Sequence, residues 1–236
     1  VVADNGTQAI APTLYGGRLQ YDVFKDFTPI TLAASFPALL LVPPSFPAKT
    51  AKEFVALAKS QPGKLTYSSA GTGNGSHLTL DLFKTAAGGL DMVHIPYKGG
   101  APALQALLAG DTQFMFDNLA NAMAQVKGGK VRAIAVTTAQ RSKLAPELPT
   151  MAEAGMPGFD ISTWFGLLAP AGTPPDVIAK WNADVVKVLN SPDVREKMLA
   201  QGAEPAPQTP AEFAAFIARE REKYARIVKA SGAKVD

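Results

Sequence analysis

Glycines at positions 71, 73 and 75 in the stretch LTYSSAGTGNGSHL (65–78) are the residues whose type and spacing best suit binding chemistry. Lacking a Cβ, they let the backbone take positive φ and approach a ligand closely. Leu65, Thr66 and Tyr67 are strand formers placed just after the Pro62-Gly63 breaker. From Ser76 the spacing turns helical, with Leu78, Leu82 and Phe83 recurring on one face. A strand, a glycine loop and a helix start in that order present unpaired N–H groups at the positive end of a helix dipole, which suits a carboxylate or phosphate. The glycines lack the third spacing of the dinucleotide fingerprint, and no lysine follows in P-loop fashion. A plain strand-to-helix turn is the bland alternative.

Other chemistry-bearing residues are fewer. The two histidines, His77 and His94, are read as having neither a second histidine nor a carboxylate at helical ligand spacing, so no metal or cofactor site is expected. Ser76 and His77 are neighbours near Asp81, but adjacent helical residues point in different directions and the G-x-S-x-G elbow of hydrolases is missing. Asp117 closes a strand and is either a helix N-cap or a ligand contact. Lys98, in a second glycine-bearing loop, is either a counter-charge or a solvated side chain. Trp164 and Phe165 are core or one wall of a cleft.

The elements that must position these residues follow from local signals. Strands are expected at Pro29–Ala34 and Leu39–Val42, the second cut off by Pro43-Pro44. Thr50 and Glu53 form a capping box that opens a helix ending at Pro62-Gly63. Further strands, at 92–95, 112–116 and 131–137, alternate with helices at 102–109 and from Asn118 through Val126, Gly110 closing the first of these. This alternation predicts parallel βαβ units in an α/β fold, whose ligands bind beyond the carboxyl ends of the strands. The loops at 69–76, 97–100 and 117–118 lie at such ends. After a capped turn at 150–155 and an extended segment at 159–168, prolines following Thr173, Ser191 and Thr209 open three helices. The first carries Val177, Ile178, Trp181, Val185 and Val188 as its packing face. The change from alternation to helices predicts two lobes, 1–39 with 165–236 and 40–164, linked by crossings at 36–44 and 160–169.

Composition excludes several classes. At 236 residues and 47% hydrophobic content, the chain suits globular domains with their own cores. Its 23 basic and 20 acidic residues are scattered without a basic stripe, which argues against a nucleic-acid partner. Zero cysteines exclude disulfides and thiolate chemistry and fit a reducing or an oxidising compartment alike. Apolar runs are too short for a membrane span.

With these residues in view, the chain closely resembles the substrate-binding proteins of tripartite tricarboxylate transporters, the Bug or TctC-like family. The resemblance rests on NGTQAI, PAKTAKEFVALAKSQPGKLTYSSAGTGNGSHL, HIPYKGGAPALQALLAGDTQFMFDNL, GKVRAIAVTTAQRSKLAPELPTMAEAGMPGF, WFGLLAPAGTP and GAEP, in that order. It implies the two-lobed type II periplasmic binding fold with a cleft, and a periplasmic, non-enzymatic carboxylate binder that serves membrane permease subunits. It carries first-lobe contacts to Asn5, Gly6 and Thr7. Second-lobe contacts fall on Ser69, Ala70, Gly71, Thr72, Gly73, Asn74 and Ser76, on Tyr97 and Lys98, and on Asp117. Phe165 is added as a cleft wall.

Two departures stand out. Asn74 occupies a position where the family often has Ser or Thr. The family also usually opens with a strand, a Pro-Gly-Gly loop and a long helix ahead of the point where this chain starts, so the first lobe is expected to be incomplete. Two competing classes are an enzyme acting on a phosphorylated or acyl substrate, which needs a base beside the loop, and an effector-sensing domain of the same fold.

Overall fold

In the computed structural model, which describes residues 1–72 and 75–231, the chain divides into two compact units. One is Pro37–Ser162; the other joins Val1–Phe36 to the chain from Thr163 on. Strand β2 (Phe27–Val42) runs through the boundary without a break. The sequence predicts two strands here, and the structure merges them. Pro37, which has no N–H to give a ladder, falls between the pairing of Ala34 and Ser35 with one strand and that of Ala38 onward with others.

The unit Pro37–Ser162 is a sheet covered on both faces. Its strands are the end of β2, β3 (Thr66–Ser69), β4 (Val93–Pro96), β5 (Phe114–Asn118) and β6 (Arg132–Val136). Strand β3 lies parallel to β4 and to β5, and β2 is antiparallel to β5 and β6. The helices are α2 (Ala51–Ser60), α3 (Gly75–Ala86), α4 (Gly100–Ala109) and α5 (Leu119–Lys127). Because successive strand residues point to opposite faces, Leu40, Tyr67, Phe114 and Phe116 pack with Phe54 of α2 and Phe83 of α3. On the other face Leu39, Leu41, Met115 and Val136 pack with Leu104 and Leu107 of α4 and Ala122 of α5.

Local signals act as anticipated at several ends. Thr50 Oγ1 accepts the Glu53 N–H at 3.1 Å, and the Glu53 carboxylate reaches back to the Lys49 N–H at 2.7 Å. Gly110 ends α4 with φ 85°, a conformation a Cβ would strain. At the capped turn, Thr150 and Glu153 exchange bonds of 2.8 and 3.0 Å.

The other unit holds β1 (Val2–Asp4) antiparallel to β7 (Ser162–Pro170), which lies beside β2, and the two-residue β8 (Glu204–Pro205) on β2's early half. A π-helical turn (Gly6–Ile10) leads into α1 (Ala11–Leu14), and α6 (Pro175–Leu189), α7 (Pro192–Ala200) and α8 (Pro210–Ser231) follow β7. Its core joins Ala3, Leu32, Trp164 and Leu168 to Phe213 and Ile217 of α8. Trp164 is fully buried and donates its indole N–H to Glu220 at 3.1 Å, which identifies it as core.

Helix α6 departs from expectation. Ile178 is buried, but Val177, Trp181 and Val188 are exposed, the last two at 55% each. Thr173 does not cap α6 either; its hydroxyl donates to the Pro170 carbonyl, and Pro174 holds the N-cap position with Pro175 at the first helical residue.

Candidate functional site

Three of the anticipated loops converge in the unit Pro37–Ser162 because β3, β4 and β5 end on the same side of a partly parallel sheet. The Tyr97 N–H donates to the Ser69 carbonyl at 3.0 Å, and the Gly99 N–H donates to the Ala70 carbonyl at 3.2 Å. These two bonds fasten the loop after β4 to the loop after β3. Gly71, at φ 130°, lies so close that a Cβ there would sit 3.4 Å from the Tyr97 carbonyl oxygen. A Cβ on Gly100 would sit 3.7 Å from Asp117 Oδ1, which brings the third loop alongside. Across the glycine loop, Ser76 Oγ accepts the Ala70 N–H at 2.9 Å.

Helices α3, α4 and α5 all begin at this rim, each of nine residues or more. Gly99, the α4 N-cap, has φ 117° and makes no side-chain cap, and Asn118 makes none at α5. The first N–H groups of such helices have no partner within the helix, and their dipoles reinforce one another toward an anion. Thr72 and Lys98 are exposed, Ser76 and Tyr97 half-buried, Ser69 and Asp117 buried. Gly73 and Asn74 lie outside the described residues.

Asp117 lies one residue ahead of the α5 N-cap, which is Asn118, so it does not itself hold the capping position. Its Oδ1 accepts the Asn118 N–H at 2.8 Å, tying down the start of α5. Its Oδ2 is buried without a partner among the described residues, and burial pushes the carboxyl up to about 6.

The first-lobe candidates sit in the other unit at the end of β1. The Asp4 carboxylate accepts the Thr7 N–H at 2.7 Å and the Thr7 hydroxyl at 2.9 Å. A Cβ at Gly6 would press on the same carboxylate at 3.2 Å. Asn5 is buried, with its amide donating to the Tyr224 hydroxyl at 3.4 Å. Asp4 pairs in register with Phe165, whose ring meets Phe36 edge-on at 5.6 Å. Phe36 was not singled out in the sequence.

Local signals do not disclose the contact between Ser69 and His94. Ser69 Oγ and His94 Nε2 are hydrogen-bonded at 2.6 Å, and the His94 ring stacks between Tyr67 and His77. His77, in the first turn of α3, lies 3.5 Å from Asp81. The histidine therefore does have a carboxylate one helical turn away, contrary to the sequence reading, because residues four apart share a helix face. No group of three metal-ligating side chains exists among the described residues. Ser69 is completely buried, so its contact with His94 lacks the access a nucleophile needs.

Comparison with known proteins places the chain in a family. Residues 1–233 match the family described as the tripartite tricarboxylate transporter family receptor. The chain belongs to that family. Protein BugT of Bordetella pertussis is 34% identical over 92% of this chain and 66% of its own length. The chain spans about two thirds of the length of the curated relatives it matches. Among solved structures, an R. palustris protein with adipate is 33% identical, covering 99% of this chain and 78% of that one, with a TM-score of 0.82. MatC from Rhodopseudomonas palustris with bound malate is 35% identical, covering 96% of this chain and 78% of that one, with a TM-score of 0.75. The family likeness carries the fold with it: α/β, of the periplasmic solute-binding type. No helix among the described residues is long and apolar enough to cross a membrane.

Proposed function

We propose that the protein is a periplasmic solute-binding receptor that captures a small carboxylate without chemical change and delivers it to membrane permease subunits. The observation that carries this reading is the convergence of three helix starts on two glycine-bearing loops joined through the Ser69 and Ala70 carbonyls. Such a rim offers backbone N–H donors to an anion. Candidate contacts in this unit are Ser69, Ala70, Gly71, Thr72, Ser76, Tyr97, Lys98 and Asp117, with Gly73 and Asn74 from the family pattern, which separately names Asn5, Gly6, Thr7 and Phe165.

Backbone donors are sufficient in energy. Hydrogen bonds to a charged group contribute about 1.5–3 kcal/mol each. About four at the upper end of that range, less an association cost of about 4 kcal/mol, reach the roughly −8 kcal/mol of a micromolar complex. Relatives seen with adipate and malate support a carboxylate as the ligand class. A thermal-shift screen against mono-, di- and tricarboxylates tests the reading. Stabilisation by a subset of carboxylates and not by their amides is expected, and a response to phosphorylated compounds alone would replace the carboxylate.

A further inference from the structure

The glycine loop rests on a cluster built around His94, which is not among the proposed ligand contacts. Tyr67 and Ser69, two apart on β3, point to one side of the sheet, and His94 on β4 is the register partner of Tyr67. Ser69 Oγ meets His94 Nε2 at 2.6 Å, and the same oxygen accepts the Gly71 N–H at 3.2 Å. The Ser69 carbonyl meanwhile takes the Tyr97 N–H. One buried serine thus ties the Gly71 bend, strand β4 and the start of the second loop together.

The histidine is held in one orientation. Its ring stacks on Tyr67 at 4.9 Å with 15° between planes, and on His77 at 4.2 Å with 10°. His77 is in turn held 3.5 Å from Asp81. A ring clamped on both faces aims Nε2 along a fixed direction, which a free polar side chain would not do.

We propose that His94 is a positioning residue: its Nε2 holds the Ser69 hydroxyl in the rotamer that sets the Gly71 bend, and so holds the loop's N–H groups in their anion-binding arrangement. The part of this concerning an anion rests on the function proposed above; the bracing of the loop does not. The titratable and charged groups around the ring are Tyr67 and His77 on its faces, with Asp81 and Lys84 beyond His77 on α3. Burial, reinforced by His77 and Lys84, holds the His94 ring down to about 4, so it is neutral at physiological pH and acts as a constant brace.

The test compares His94→Phe, which keeps a stacking ring and removes Nε2, with His94→Gln, which returns an amide near the Nε2 position. Amide hydrogen exchange followed by NMR on the protein without ligand reads the loop directly. His94→Phe is expected to speed exchange at Gly71 and Ala70 by about tenfold or more, while core amides of β5 keep their protection and His94→Gln restores the loop. Ser69→Ala breaks the same bond from the other side, so it should match His94→Phe, and the double variant should be no worse than either. It also gives the reading should His94→Phe fail to fold. Loop amides at wild-type rates in His94→Phe or Ser69→Ala would overturn the proposal, as would additive effects in the double variant. A second arm records thermal shifts with malate and adipate. A loosened loop with unchanged shifts leaves the brace standing and removes the ligand from this loop.

Discussion

The N–H of Ala70 donates to Ser76 Oγ at 2.9 Å, so the glycine loop is closed onto the first turn of the helix it precedes. The chain leaves β3 and enters α3 through a bend pinned at both ends. Ser76→Ala leaves the half-buried Ala70 N–H without this acceptor. A loss of about 1 kcal/mol in denaturant unfolding is expected, along with weaker binding of whichever carboxylate gives the largest thermal shift.

Asp117 predicts a pH dependence whose sign follows from its burial. Its carboxyl titrates at about 6 in the folded protein against 3.8 unfolded, so between these values the folded state holds more protons. Its contribution therefore falls as pH rises through that window, and the cost is fully present above it. Asp117→Asn removes the cost, with a gain of on the order of 3 kcal/mol at most at pH 8 and little at pH 3.5. Chemical denaturation at the two pH values checks this. If Asp117 contacts ligand, the stabilised variant binds more weakly; a gain in stability with unchanged affinity takes Asp117 out of the site.

His94 works in the opposite direction. Its ring titrates at about 4 when folded against 6.5 unfolded, so the unfolded chain takes up the proton first. Its contribution is complete above 6.5 and is lost as pH falls from 6.5 toward 4. His94→Gln should flatten the acid side of the stability profile, while Asp117→Asn should steepen it. Melting temperatures taken at half-unit intervals from pH 4 to 7 would show both, and equal slopes in the two variants would contradict the assignment.

Gly166 on β7 lies against the ring of Phe213, and a Cβ there would overlap the ring. Phe213 is fully buried and cannot withdraw without opening the core around Trp164. Gly166→Ala should destabilise by at least about 1–3 kcal/mol, and Gly166→Ala combined with Phe213→Leu should recover part of the loss. Equal unfolding midpoints for wild type and Gly166→Ala would sink this account of the glycine.

Much of the fold around the candidate site was legible because its signals are local. Glycines after a strand former, the Thr50 and Glu53 cap and the left-handed Gly110 act within a few residues of themselves. The convergence of the 69–76, 97–100 and 117–118 loops followed from strand and helix alternation alone. What stayed hidden depends on pairings across the chain. Ser69 meets His94 only through the parallel register of β3 and β4, and Asn5 meets Tyr224 across 219 positions. The unbroken course of β2 through Pro37 depends on where its partners change, which no local pattern states. Helix α6 shows the same limit from the other side: its apolar period marks a face without saying what covers Trp181.

The central claim, that backbone N–H groups at the glycine loop hold the carboxylate, is tested most directly by calorimetric titration of Gly71→Val and Lys98→Ala against wild type, using the carboxylate that stabilises best. A valine at 71 must adopt a φ of 130° beside the Tyr97 carbonyl, which a β-branched residue resists, while Lys98 is an exposed side chain. The account predicts that Gly71→Val loses about a hundredfold or more in affinity, whereas Lys98→Ala stays within about tenfold of wild type. Wild-type binding by Gly71→Val together with abolished binding by Lys98→Ala would contradict it and leave a simple ion pair in its place.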